Sequence, residues 1–502
     1  MRQTVRMGAG AVLWLMACAT ACANIDVTGE RAALYADYST QLAALAGECA
    51  AQQLPEAAAE VRAWLPQRAA DQLTLFVIEP AGNVSKTGPG PGDDELPKWR
   101  QRWKTLRDAQ ADKLFALARR AVDERQPALV YELVTETVRE NPDHKAARRM
   151  LGYVPYAGGW HTPFEVRQLS AGKVYHEQFG WLPKDHAQRY DAGERYYQGR
   201  WMPGAEETRL RGDMARGWRV ESAHYTVTTN HSLEEGVRLS RQLERLYAVW
   251  QQTFISYGVD AAELKRRFAG RAARAAAAKH AVVQFRTREE YNAALRPMQP
   301  RIDITLGIYL DKARTAYFFA GDEQDPGTIH HEATHQLFQE TRPVAPNVGR
   351  AHNFWVIEAI ACYMESLVDH GATVTLGGAD AGRMPAARHR LLVDKFYVPL
   401  AELVELGMES LQRDERLPRI YSQSAGLADF LMHDASGRYR QALVEYLLAV
   451  YSGRATPETL AELTGADYAT LDRQYAAFMA EEVPADTAAA ASQADEAANG
   501  AR

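Results

Sequence analysis

Apolar residues recur at helical spacing over residues 28–64, a stretch rich in Ala and Leu, and the pattern predicts a helical hairpin. Residues 74–78 (Thr-Leu-Phe-Val-Ile) form a short apolar run, read as a strand or a buried turn. Residues 88–95 (Gly-Pro-Gly-Pro-Gly-Asp-Asp-Glu) have no periodicity and predict a flexible loop. Helical spacing returns over 97–140, with Pro97 suited to the first turn. It stops at the Gly-Trp-Pro cluster of 158–163. Residues 166–217 then mix charges with Trp181, Tyr190, Tyr196, Tyr197 and Trp201, and read as a linker whose aromatics pack it or line a surface. Strand-like runs follow at 225–229 and 281–285, with a long amphipathic helix over 233–254 between them. Residues 266–279 are basic and Ala-rich, a solvated helix or an insertion. The runs 307–310 and 315–319 predict a hairpin turning near Lys312. Beyond residue 358 the chain is helical again, with apolar faces over 399–406, 427–432, 439–451 and 460–479. From 481 the Ala-, Asp- and Glu-rich tail lacks aromatics and predicts disorder.

Candidate chemistry concentrates in the segment after the hairpin. Asp325 can cap a helix, and Pro326 suits its first position, where no backbone donor is needed. On that helix His331-Glu332-Ala333-Thr334-His335 places two imidazoles four residues apart, on one face, where both can meet one metal ion. Glu332 lies one residue on, where a carboxylate can take a proton from water at that metal. The competing reading is a surface helix that carries two histidines. His330 points about 100° away from His331 around the helix and is not expected to be a ligand. A zinc enzyme needs a third protein ligand and one open position. Glu358 is the candidate, in the apolar run 355–363 (Trp-Val-Ile-Glu-Ala-Ile-Ala-Cys-Tyr), where an ionised carboxylate is costly unless compensated. On spacing alone, Glu358 either meets the metal or faces solvent at a helix end.

The His-Glu-x-x-His run, followed by Trp-x-x-Glu-Ala-x-Ala-x-Tyr, resembles the gluzincin metallopeptidases, and most of all the peptidase-MA-like group of bacterial secreted proteins. The extended run 331–338 (His-Glu-Ala-Thr-His-Gln-Leu-Phe) carries the same likeness, which covers about residues 218–479. The resemblance implies that His331, His335 and Glu358 bind Zn2+ and that Glu332 is the general base. It also implies an α+β domain over 218–480, with a small mixed sheet, an active-site helix and a C-terminal helical lobe. Tyr421 resembles a family tyrosine that steadies the oxyanion, and the competing reading is a core tyrosine; Tyr363 and His352 are weaker candidates. The family's usual aspartate four residues after the ligand glutamate is replaced here by Cys362. Glu365, Glu340 or a backbone carbonyl would have to orient the zinc histidine in its place. Farther upstream, residues 139–147 are similar to the junction between tetratricopeptide helical repeats. Only about one and a half units are visible, against the three or so a solenoid needs. The expectation for 24–165 is therefore a helical domain, tetratricopeptide-like in part, that could dock a protein partner.

Composition narrows the function. Lys and Arg number 58 against 64 Asp and Glu, a net charge of −6, which offers no electrostatic case for nucleic acid. Arg2 and Arg6 precede a short apolar run at 8–17, too short to span a bilayer, so residues 1–23 read as an export signal. Cys18 could be lipidated after a lipobox-like Leu-Met-Ala, or an ordinary signal peptidase could cut after Ala21 or Ala23. Periplasm, cell envelope or exterior is the expected location, with membrane attachment if Cys18 is lipidated. Cys49 and Cys362 read as small apolar core residues. Together these features predict an exported zinc metallopeptidase acting on a peptide or protein. The alternatives are a non-catalytic zinc-binding envelope module and a zinc hydrolase of non-peptide envelope material, because the motif defines a nucleophile and a base, not the bond cleaved.

Overall fold

The computed structural model of the chain describes residues 27–66, 68–78, 96–124, 126–271 and 278–481. The segment 1–23 read as an export signal, the loop expected at 88–95, the centre of the basic run and the tail from 482 lie outside the described residues. The protein mixes many helices with small sheets, as the alternation of periods predicts. Among the described residues no helix is long and apolar enough to cross a membrane.

The expected first hairpin is present as helices Val27–Ala51 and Pro55–Arg62, packed on each other. The helical stretch expected over 97–140 is present as two helices, Lys98–Asp123 and Pro127–Glu140. Pro127 has no amide hydrogen to continue the first helix, and it opens the second instead. The strand Gln72–Phe76 pairs antiparallel with Thr373–Gly377, some 300 residues later. Leu73 and Leu75 enter the main core beside Tyr363, Val374 and Leu376, so the N-terminal region is built into the second half of the chain.

Residues 166–217, expected as a linker, are ordered, and they belong to a threefold pattern that begins at Gly152. Hairpins Val154–Tyr156/Gly159–His161, Lys173–His176/Gly180–Pro183 and Glu194–Tyr197/Arg200–Pro203 are followed by helices Pro163–Ser170, Ala187–Asp191 and Gly204–Arg211 respectively. Each hairpin carries a tryptophan (Trp160, Trp181, Trp201) and is followed closely or ended by a proline (Pro163, Pro183, Pro203). The first and third turns put two residues each at positive φ, Ala157-Gly158 and Gln198-Gly199, matching the twist of a two-residue hairpin. The helix of one unit meets the tryptophan of the next: Phe164 lies 6.4 Å from Trp181 and His186 lies 4.7 Å from Trp201 between ring centroids. The aromatic richness of this stretch is therefore packing between units.

The second half opens with a five-stranded mixed sheet. Its order is Ile308–Leu310, Thr315–Phe319, His280–Phe285, Tyr225–Thr229 and Trp218–Glu221, with the three central strands parallel. The expected hairpin forms one edge, and Ile308–Leu310 is its outermost strand. Helix Leu233–Gly258 packs on strands Tyr225–Thr229 and Trp218–Glu221 and, through an aromatic cluster, on helix Pro326–Glu340. In that cluster Phe338 lies 5.4 Å from Trp250, 4.8 Å from Tyr257 and 5.5 Å from Tyr451. The closing lobe comprises Phe354–Met364, Leu417–Gly437, Arg440–Tyr451, Thr459–Thr464 and Tyr468–Ala480. Its last expected helix, 460–479, is broken at Gly465, which takes a left-handed conformation (φ 66°), before Asp467 caps the next helix.

Candidate metal centre

The helix Pro326–Glu340 starts as its sequence dictates. Asp325 accepts a hydrogen bond from the Thr328 amide at 3.0 Å, and Pro326 fills the first turn. Ile329, Ala333, Leu337 and Phe338 are buried in the core, and Gln336 donates to the Ala281 carbonyl at 2.9 Å, tying the helix to the sheet. His331, Glu332 and His335 are left partly exposed. The next helix, Phe354–Met364, packs across it, and every residue of that helix except Glu358 is buried. Glu358 does not face open solvent at a helix end: it points to the histidines, with its side chain 12% exposed.

The three ligand atoms converge. His331 Nε2 and His335 Nε2 are 3.1 Å apart, and Glu358 Oε2 lies 3.6 and 3.7 Å from them. A tetrahedral zinc with bonds of about 2.0–2.1 Å separates its ligands by about 3.3 Å, so the triangle has the dimensions of one face of such a site. The two Glu358 separations exceed a hydrogen bond. Burial raises the Glu358 carboxyl, but the His335 and His331 imidazoles outweigh it and hold Glu358 well below the usual carboxylate range. Two imidazoles and one ionised carboxylate are a donor set that fits Zn2+.

His331 is oriented from behind. Its Nδ1 lies 2.8 Å from Glu365 Oε1, and Arg383 grips the same carboxylate through two bonds of 2.7 and 2.8 Å. The paired Arg383 keeps Glu365 ionised, and an ionised carboxylate only accepts. Nδ1 therefore carries a proton toward Glu365, and Nε2 is the nitrogen that faces the ligand triangle. Of the three alternatives open from sequence, Glu365 is the one that orients this histidine. Glu340 is committed elsewhere, to His280, Tyr309 and Gln336. Cys362 Sγ lies 4.0 Å from His331 Nδ1, on the side away from the triangle. His331, Cys362 and Glu365 form a second group of metal-ligand type, but Arg383 already supplies the cation there.

Glu332 Oε2 accepts the Tyr309 amide at 2.8 Å. Because Tyr309 spends that N–H on the helix, it is turned away from the paired strand, on the free edge of the sheet. Burial pushes the Glu332 carboxyl above its ordinary value, against the pull of His331 and His335. The other sequence candidates fall outside the triangle. Tyr421 sits on Leu417–Gly437, half-buried and packed against the main core. The Tyr363 hydroxyl is 2.9 Å from His433 Nε2 in the interior, and His352 Nδ1 is 3.0 Å from the Asn353 side chain. His330 is buried with Nε2 3.3 Å from Gln242, as its angle on the helix predicts. Sequence reading missed Arg383 and Tyr309. Neither belongs to a motif, and only the fold brings them to the helix.

Comparison with models of known protein families gives no match, and comparison with curated proteins gives no significant one.

Proposed function

We propose that this chain is a zinc-dependent metallopeptidase of gluzincin type, exported by its first 23 residues and acting on peptides or proteins. The observation that carries the reading is the triangle of His331, His335 and Glu358, with Glu332 beside it. A zinc ion held there would polarise a scissile carbonyl and bring the pKa of a bound water to about 7. Glu332 takes the proton from the attacking water and returns it to the leaving amine. Glu365 and Arg383 fix the His331 tautomer. The outer edge of Ile308–Leu310 runs beside Glu332, and with the Tyr309 N–H held by Glu332 its carbonyl is the group proposed to receive an amide of an extended peptide. Tyr421 is the proposed oxyanion donor from the lobe across the cleft. The helices before residue 150 are proposed as a tetratricopeptide-like docking unit, and a lipidated Cys18 as a membrane anchor.

The test is hydrolysis of a mixed peptide library by the full-length mature protein, with and without chelator. Wild type should cut in a chelator-sensitive way. Glu332→Gln should lose at least about 1000-fold in kcat while keeping its zinc, whereas Glu358→Ala should lose the metal. Activity surviving in Glu332→Gln sinks the mechanism. A zinc-loaded wild type that cuts no peptide favours the envelope-module or non-peptide alternatives.

A further inference from the structure

We infer that Tyr309 and Glu340 form a clasp that sets the edge strand, and through it the Glu332 carboxylate, in place on the His331 helix. The inference rests on the proposed role of Glu332 in proton transfer. Ile308–Leu310 has three residues and pairs on one side only, with Thr315–Phe319. So short an edge is weakly held by its ladder bonds. Tyr309 grips the helix at two points: its amide donates to Glu332 Oε2 at 2.8 Å, and its hydroxyl donates to Glu340 Oε1 at 3.0 Å. Glu332 and Glu340 are eight residues apart, about 12 Å along the axis. Both bonds come from one residue, so Tyr309 meets the helix at two positions and fixes the strand's height against it.

Glu340 is built for this role. Its side chain is 3% exposed, and it also receives Gln336 Nε2 at 3.2 Å and lies 2.8 Å from His280 Nδ1, on the central strand of the sheet. Arg314, in the hairpin turn, approaches to 3.7 Å. One buried carboxylate thus joins the helix, the central strand and the edge strand. Burial, with Glu340 beside it, pushes the Tyr309 hydroxyl well above its ordinary value, so it stays protonated and donates. Tyr309 and Glu340 are positioning residues. They act on Glu332 through the backbone of the strand.

The test uses the full-length mature protein with Tyr309→Phe, which removes one oxygen. Zinc per chain should be unchanged. Amide exchange at 308–310, resolved to single residues, should accelerate roughly 10-fold, the worth of about one hydrogen bond. The Tyr309 amide reports its bond to Glu332 directly. On a cleaved peptide, kcat should fall roughly 10-fold with KM within about 2-fold, since misplacement of a reacting group acts on the chemical step. Glu340→Gln keeps an acceptor and should lie between wild type and Glu340→Ala in both readouts. Wild-type exchange at the Tyr309 amide in Tyr309→Phe overturns the clasp. Faster exchange with unchanged kcat overturns its role in placing Glu332. If wild type cleaves no peptide, the peptidase reading fails, and the Tyr309 amide still decides whether the clasp holds the strand to Glu332.

Discussion

In the N-terminal helices Glu132, Glu136 and Glu140 are buried with guanidinium groups against them, whereas Glu358 is partly buried with two imidazoles against it. Arg31 bridges Glu132 at 2.7 Å and Glu136 at 2.8 Å, and Arg68 meets Glu136 at 2.9 Å. Glu140 takes Arg139 at 3.0 Å, the Tyr38 hydroxyl at 2.8 Å and the Trp64 indole at 3.0 Å. Arg440, from the C-terminal lobe, reaches to 3.7 Å from Glu132. Each carboxylate there finds its counter-charge and its donors within the chain, at hydrogen-bond length. Around Glu358 the distances are longer, 3.6 and 3.7 Å, and the Nε2 atoms of two histidines converge on the carboxylate. Buried charge that the chain satisfies itself is architecture. Partly buried ligand atoms that converge at the spacing of a coordination sphere are what the proposed zinc site rests on.

The contrast can be broken from either side. The largest effect is expected for Arg31→Ala, which strands Glu132 and Glu136 with one cation fewer. It should cost about 3 kcal/mol of unfolding free energy, because a buried charge loses its partner. The denaturation midpoint would fall while zinc content stays at the wild-type level. Loss of zinc in this variant would show that the two regions are one unit and that the contrast is wrong. A smaller effect is expected for Arg383→Ala, which frees Glu365 and loosens His331. Zinc affinity, measured by competition with a chelator, should weaken about 10- to 100-fold with little change in folding stability. Unaltered affinity would mean that Glu365 orients His331 without Arg383.

How much of this was legible in the sequence follows from how local each feature is. The helix of His331 and His335 was readable because its cap, its proline and its four-residue spacing lie within 15 residues. The hairpin before it was readable from two short apolar runs. Glu358 was visible as a carboxylate in an apolar helix, but only packing decides that it turns to the histidines. Of three alternatives for orienting His331, the sequence had no way to choose Glu365, because the choice depends on how two helices cross. Arg383 comes from a loop beyond a strand and carries no spacing signal. The three hairpin units were missed for another reason: strands of three or four residues are too short to show a period of two. Their signal was the repeat itself, Gly152, Gly172 and Gly193, each followed eight or nine residues later by Trp160, Trp181 and Trp201 in turn. The break at Pro127 was legible too, since a proline there argues for a new helix start.

The central claim is that His331, His335 and Glu358 hold one zinc ion, and X-ray absorption at the zinc edge of the metal-loaded protein tests it most directly. The account predicts one zinc per chain, surrounded only by nitrogen and oxygen at about 2.0–2.1 Å, with the multiple-scattering signature of two imidazoles. A sulfur neighbour at about 2.3 Å would place the ion with Cys362 on the far side of His331. That result, or a protein that binds no zinc, would contradict the account.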